Sequence, residues 1–346
     1  MMRAMVTRAG KLVVGEIPKP MPLPATVLIR VHGAAVNRAD LLQKRGLYPP
    51  PPGASEILGL ECSGTVEATF GNSSRFRVGD RVMALLRGGG YAEYALAEEG
   101  CVMPVPTTIS LSEAAVIPEV WLTAYQLIVR VAKLQHGENI MIHAGASGVG
   151  LAASQIAKDL LGAHHIVTSC GSDSKCDASV RVGRASASVN YRSLKGSLSD
   201  AVIGAMKGER PNVLLDCIGG SVWVENLKML DMDGRWILFG TMGGTKPPEG
   251  INLGHLLSKR VAVITSTLRN RSAEYQADLV RSFSNEVLPK LAAGKLHITI
   301  DSIYDLRDAE EAHRHVEQNE NIGKVLLAGF ESLEPNRQSD ETLQRL

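Results

Sequence analysis

The sequence lacks the marks of an extracellular, membrane-spanning or nucleic-acid-binding chain. Its five cysteines, Cys62, Cys101, Cys170, Cys176 and Cys217, are odd in number, scattered, and form no CxxC pair. That spacing argues against a disulfide framework or a zinc knuckle and for a reducing compartment. Aromatics make up only 4%, and 37 Lys plus Arg stand against 36 Asp plus Glu for a net charge of +1. A basic surplus and a stacking platform for bases are therefore both missing. No apolar run approaches the ~18–20 residues that span a bilayer. The opening MMRAMVTRAGKLVV has no apolar segment followed by a cleavage site. The expectation is a cytoplasmic protein with neither nucleic acid nor membrane as partner.

What is present is enough for two ordinary domains: 346 residues, 45% of them hydrophobic and 21% charged. Residues 1–110 read as β-rich, with short apolar runs at 27–31, 64–68 and 81–86 between Gly and Pro punctuation. Pro18, Pro20, Pro22 and Pro24 suggest an extended connector, as do Pro49 to Pro52. From about residue 120 short strand candidates alternate with helical stretches. The strands are 139–143, 165–169, 187–191, 212–216, 235–239 and 261–265, and helices are expected at 149–161 and 222–230. That alternation predicts an α/β region with a parallel sheet covered on both faces. A long helix is expected at 275–293, another at 307–318 and a last strand at 324–328, with a polar, flexible tail over 331–346.

The sharpest motif is the run from Asn139 to Lys158, NIMIHAGASGVGLAASQIAK. A buried strand enters a turn with Gly145, Gly148 and Gly150, and a helix with small residues follows. Such glycines admit a pyrophosphate to backbone N–H groups at the positive end of a helix. The alternative is a turn whose glycines serve packing alone. A nucleophile elbow at Ser147 is disfavoured, because Val149 stands where GxSxG requires its last glycine. At the end of the second strand an acidic residue would bind the adenosine ribose and repel a 2′-phosphate. Here the strand ends Thr168-Ser169-Cys170-Gly171-Ser172, with Asp173 late and Lys175 beyond it. Ser172 and Lys175, with Tyr191 and Arg192 from the third strand, suit a phosphate, so the expected dinucleotide is NADPH. Asp173 also suits a helix N-cap.

The segments 36–64, 118–127, 143–150, 214–220, 234–244 and 321–327 resemble, in collinear order over roughly residues 3–328, the zinc-independent medium-chain dehydrogenase/reductases of the zeta-crystallin type. Among these NADPH:quinone oxidoreductases the likeness is strongest to the branch that includes the tumour-suppressor-induced enzyme. The resemblance implies a GroES-like β-rich catalytic domain (1–122 and 289–330) split around a Rossmann domain (123–288). It implies that Asn37 and Tyr48 face the nicotinamide half of the cofactor, and that Ser147, Gly148 and Val149 lie near the pyrophosphate. Gly171, Ser172, Lys175 and Tyr191 would hold the adenosine phosphate. Cys217, Ile218, Met242, Gly243, Ser266 and Leu268 would line the groove, and Asn321 would return to the nicotinamide. It further implies a homodimer or homotetramer paired through the last Rossmann strand, around 261–265.

Zinc alcohol dehydrogenases of the same superfamily place Cys where Asn37 stands, His where Leu60 stands, and a further ligand near Pro118-Glu119. Leu60 cannot coordinate and an amide is a poor replacement for a thiolate, so no metal is expected. The pairs His164-His165 and His313-x-His315 read as strand-end and surface histidines. Without a Lewis acid a quinone is the favoured acceptor, because hydride addition yields an aromatic phenolate. Tyr48 would orient an acceptor oxygen, pack on the nicotinamide, or simply pack beneath the proline run. Sequence assigns no general acid. Two other classes stand beside quinone reduction: reduction of activated C=C bonds in enals or enones, and a non-enzymatic dinucleotide-binding role.

Overall fold

The computed structural model describes residues 1–71 and 74–330; the expected tail, 331–346, lies outside the described residues. Six short strands, Ile140–His143, Ile166–Cys170, Ala187–Asn190, Val213–Asp216, Arg235–Leu238 and Ala262–Thr265, pair in parallel. Counted in chain order, they lie side by side as 3-2-1-4-5-6. This is the doubly wound Rossmann order, which reverses between strands one and four. Alternate side chains explain why the inner strands are mostly apolar. Met141, Val167, Leu214 and Trp236 pack into one layer, and Ile140, Ile142, Val213, Leu215 and Ile237 into the opposite one.

The second large sheet is mostly antiparallel. Thr26–Ala35 pairs with Glu61–Thr69, which pairs with Arg81–Leu85 and then Val102–Pro104. Its other edge is completed by the end of the chain: Lys324–Ala328 runs antiparallel to Thr26–Ala35, and Ile300–Asp305 runs parallel to Lys324–Ala328. The chain thus leaves the first sheet, builds the Rossmann sheet, and returns. One continuous core joins the halves, from Met83 and Met103 through Trp121 and Tyr125 to Ile142 and Phe283.

Two expected helices differ in extent. The one at 275–293 is broken into Ala273–Glu286 and Leu288–Ala292. Pro289 explains the break, since it lacks an N–H and its ring opposes the carbonyl one turn back. The helix at 307–318 contracts to Ala309–Glu317 behind a 3-10 turn at Leu306–Asp308. A helix not expected from periodicity, Pro118–Tyr125, continues into a π-helical turn, Gln126–Val131.

Close backbone approach gives a direct stability test. A Cβ on Gly64 would lie 1.9 Å from the Arg30 carbonyl oxygen, whereas one on Gly204, in helix Leu198–Ala205, meets nothing within 4 Å. Gly64→Ala is expected to cost about 3 kcal/mol or more, and Gly204→Ala to add about 0.5–1 kcal/mol. Shifts of the urea midpoint in opposite directions check both.

Candidate active site

The Rossmann residues singled out from sequence converge on one edge of the sheet, at or just beyond the C-terminal ends of its strands. After the first strand, Ser147 caps helix Gly148–Asp159, its Oγ accepting the Gly150 N–H at 3.0 Å. The three glycines are required by crowding. A Cβ on Gly145 would sit 2.4 Å from Thr168 Cβ, one on Gly150 2.4 Å from the Ala144 carbonyl, and one on Gly148 2.8 Å from Lys324 Cδ. The turn therefore offers bare backbone and a helix N-terminus, and it is in contact with the other half of the molecule. Gly323 donates its N–H to the Ala146 carbonyl at 2.8 Å and pairs with Ser147. Asn321, two residues earlier, spends an amide N–H on the Gly323 carbonyl at 2.8 Å.

Beyond the second strand, Ser172 caps helix Asp173–Arg181 and accepts the Lys175 N–H at 3.3 Å. Tyr191 lies over Gly171, where a Cβ would approach its hydroxyl to 2.8 Å. The carboxylate of Asp173 is turned away and accepts from Asn190 Nδ2 at 2.7 Å. Lys175 donates to the Asn319 carbonyl and Arg38 to the Asn319 side-chain oxygen, so two cations from different halves meet here. Burial lowers the pKa of both. Gly171, Ser172, Lys175 and Tyr191 form a small basic cradle without a carboxylate clamp.

The fourth strand ends on the buried Asp216. Its Oδ1 accepts the N–H groups of Ile218 (2.6 Å) and Gly219 (2.9 Å), and its Oδ2 accepts from Asn226 Nδ2 (2.9 Å) and Trp236 Nε1 (3.0 Å). This fixes the turn at Cys217 and Ile218, whose carbonyls receive the N–H groups of Met242 (3.0 Å) and Gly243 (2.7 Å). Burial, and then the Asp216 carboxylate, push the Cys217 thiol up to about 12, so it lines the groove as a neutral group. Past the sixth strand, Ser266 Oγ accepts from Gln126 Nε2 at 2.6 Å, while Leu268 is 5% exposed and belongs to the core beneath the groove.

The centre is a buried polar knot between the sheets. Lys324 Nζ lies 2.9 Å from Glu61 Oε1 and donates to the Val36 carbonyl and to Asn37 Oδ1, both at 2.7 Å. Asn37 Nδ2 donates to Glu61 Oε1 at 2.9 Å and to the Ala35 carbonyl at 3.2 Å; Glu61 Oε2 accepts the Glu119 N–H at 2.8 Å. Both amide hydrogens of Asn37 are therefore spent inside the protein, and this residue, 8% exposed, braces the knot. Behind it, Asp40 accepts the Asn37 and Gly59 N–H groups, and Tyr91 bridges Asp40 (3.3 Å) and His313 (3.1 Å). Burial pushes the Asp40 carboxyl up to about 6 and holds His313 down near 3.

At the mouth, the half-buried Tyr48 ring faces the Arg269 guanidinium, 5.5 Å from its centroid. Burial, and then the charge of Glu119, raise the Tyr48 pKa. The Glu119 carboxyl is pushed up to about 8, by burial first and by neighbouring Glu61 second. Arg38, Glu61, Arg269 and Lys324 were not singled out by chemistry in the sequence, and Glu119 was noted only beside a ligand position of the zinc enzymes. Glu61 and Lys324 lie within the motif segments but are apolar-flanked strand residues, and only the fold brings them together. Because Lys324 and Glu61 are each other's charge compensation, Lys324→Met is expected to cost about 3–5 kcal/mol. Adding Glu61→Gln should recover a large part of that loss in a denaturant titration, by removing the stranded charge.

Comparison with known proteins bears on the same two halves. Residues 23–107 match the alcohol dehydrogenase GroES-like domain, and residues 148–285 match the zinc-binding dehydrogenase family. The chain is 32% identical to quinone oxidoreductase-like protein 2 of Bos taurus over 318 residues, covering 92% of this chain and 89% of that protein. The Escherichia coli quinone oxidoreductase complexed with NADPH superposes with a TM-score of 0.81 at 26% identity, over 94% of this chain and 99% of that one. The CurK enoyl reductase does so with a TM-score of 0.80 at 26% identity, over 95% and 99%. With its GroES-like sheet, its Rossmann sheet and a relative of this identity along nearly its whole length, the chain belongs to the quinone oxidoreductase-like medium-chain dehydrogenase/reductases.

Proposed function

We propose that this protein is an NADPH-dependent quinone oxidoreductase that needs no metal. The observation that carries the cofactor assignment is the basic cradle at Gly171, Ser172, Lys175 and Tyr191, with Asp173 engaged by Asn190. In this reading residues 1–122 and 289–330 form the catalytic half and 123–288 the dinucleotide half. Ser147, Gly148 and Val149 hold the pyrophosphate, and Cys217, Ile218, Met242, Gly243, Ser266 and Leu268 shape the groove towards the nicotinamide. Asn321 closes it from the returning segment. Bound NADPH supplies a hydride.

The protein's own contribution is to hold the acceptor in place and to keep charge balanced around it. Tyr48, whose pKa is raised, retains its proton at neutral pH, and we assign it to orienting an acceptor oxygen. Glu119 is protonated at pH 7 and is the acid we assign to that oxygen, a role sequence left empty. Metal chemistry is disfavoured by the donor set: Leu60 is 1% exposed and apolar, the Asn37 amide is already bonded, and the Lys324 ammonium occupies the Glu61 carboxylate. A quinone fits such a site because its reduction product is aromatic and needs no Lewis acid. The enone alternative keeps support from the protonated Glu119, since a developing enolate also needs a donor.

The last Rossmann strand, Ala262–Thr265, is a largely exposed sheet edge, and we assign pairing with a second copy to it. We place the protein in the cytoplasm, in keeping with five free thiols. Among the described residues no helix is long and apolar enough to cross a membrane.

The deciding experiment is NADPH oxidation with an ortho-quinone and with a panel of enones, in the presence of a chelator. Quinone turnover supports the proposal, and enone turnover alone moves the assignment to C=C reduction. Loss of activity on chelation, restored by zinc, defeats the metal-free reading. Tight NADPH binding without turnover supports the non-enzymatic role.

Two variants test the residues. Lys175→Ala should raise the KM for NADPH by roughly tenfold to a hundredfold, the worth of one charge-assisted hydrogen bond, and leave that for NADH unchanged. Wild-type kcat/KM should fall as pH rises through about 8, whereas Glu119→Gln should be slower by about 100-fold and lack this limb. Stability moves in step. The folded carboxyl keeps a proton between its ordinary 4.5 and about 8 that the unfolded chain loses. Its contribution therefore declines as pH rises through that window. Relative to wild type, Glu119→Gln should gain stability above the window and show no such gain below it.

A further inference from the structure

The opposite edge of the Rossmann sheet, where the strands begin, carries a second cluster that the proposed reaction does not use. His164 and His165 immediately precede the second strand, and Glu209 lies on the segment leading into the fourth. One ligand atom from each lies within 4.8 Å of the others. His164 Nε2 is 3.9 Å from Glu209 Oε1, and the two imidazole rings are 4.2 Å apart at their centroids.

The cluster is braced from below by a buried amide. Asn139, immediately before the first strand, donates from Nδ2 to Glu209 Oε2 at 2.8 Å and accepts the His165 N–H at its Oδ1 at 3.1 Å. Its own N–H is held by Asn212 Oδ1 at 2.9 Å, and Nδ2 also reaches the Arg210 carbonyl at 3.2 Å. One carboxylate oxygen of Glu209 is thus tied back while the other faces the histidines. Ligating carboxylates are held by outer hydrogen bonds in this way.

We propose that His164, His165 and Glu209 form a zinc site that ties together the starts of strands two and four. Two imidazole nitrogens and one carboxylate oxygen form a donor set suited to zinc, with a fourth position left for water. Zinc–ligand bonds of ~2.0–2.2 Å put tetrahedral ligands roughly 3.4 Å apart. Closing the cluster therefore asks for movements on the order of an ångström, which the exposed His164 and Glu209 side chains make by rotation. His165 is buried, with Lys207 and Lys158 in its neighbourhood. The two lysines also oppose an incoming cation, which weakens the site without filling it. Zinc held here is remote from the strand ends that carry the dinucleotide groove, so it stabilises the fold and takes no part in hydride transfer.

The test uses the full chain, stripped with EDTA and freed of chelator, titrated with ZnCl2 by calorimetry and followed by thermal melting, with MgCl2 in parallel. Zinc is expected to bind at close to one per chain and to raise Tm by several degrees, and magnesium to do neither. His164→Ala and Glu209→Gln, on separate segments, should each weaken zinc binding at least tenfold and abolish the Tm rise, while melting with wild type in EDTA. Absence of zinc binding, an equal magnesium response, or variants that titrate like wild type would each overturn the site. If a variant melts lower in EDTA, its own response to zinc decides, since a retained Tm rise counts against the proposal.

Discussion

The ion pair between Lys324 and Glu61 is the interaction on which the active-site region depends. Desolvating two charges costs several kcal/mol each, and mutual attraction offsets this only if the remaining polar atoms are also satisfied. Here they are. The ammonium meets the Val36 carbonyl, Asn37 Oδ1 and Glu61, and the carboxylate receives Lys324, Asn37 and the Glu119 backbone. Because the network draws on four separate segments, the pair fixes the geometry of the junction as well as its charge. Lys324 also packs on Gly148, so the dinucleotide turn is positioned by the same side chain.

The neighbouring carboxyls respond to burial first. The Glu61 charge adds to that effect, and Lys324 offsets only part of it. Asp40 and Glu119 accordingly keep their protons to higher pH than free carboxyls do. Asp216, in contrast, carries four donors of its own and anchors the groove turn without a cation. The two acidic centres are supported in different ways, one by charge and one by hydrogen bonds alone.

The Rossmann half was open to sequence reading because its signals are local. All six strands fall within a residue of their expected positions, and the glycine turn with the small residues after it marked the following helix. Ser172, Lys175 and Tyr191 drew attention because they lie within a few residues of a strand end, and the structure brings them close together. The centre could not be read in this way. Glu61, Glu119 and Lys324 are distant in sequence, and a charged residue within an apolar strand carries no mark of its partner. Asn37 was expected to address the cofactor, whereas its amide hydrogens serve the knot; a residue's type does not reveal which way its hydrogen bonds are directed. The long helix was overextended because the apolar periodicity runs through Pro289 while the backbone does not.

The return of the chain to its first sheet also has a temporal meaning. Residues 140–265 are contiguous, so the parallel sheet can assemble as soon as they have left the ribosome. The antiparallel sheet must wait for Lys324–Ala328, the last of the described strands in chain order, before the edge of Thr26–Ala35 is covered. Until then Glu61 lacks the Lys324 ammonium that balances it in the folded chain. The buried knot around Lys324 is thus completed only when this strand arrives. A chain truncated before residue 324 would carry the parallel sheet beside an antiparallel sheet with one edge uncovered.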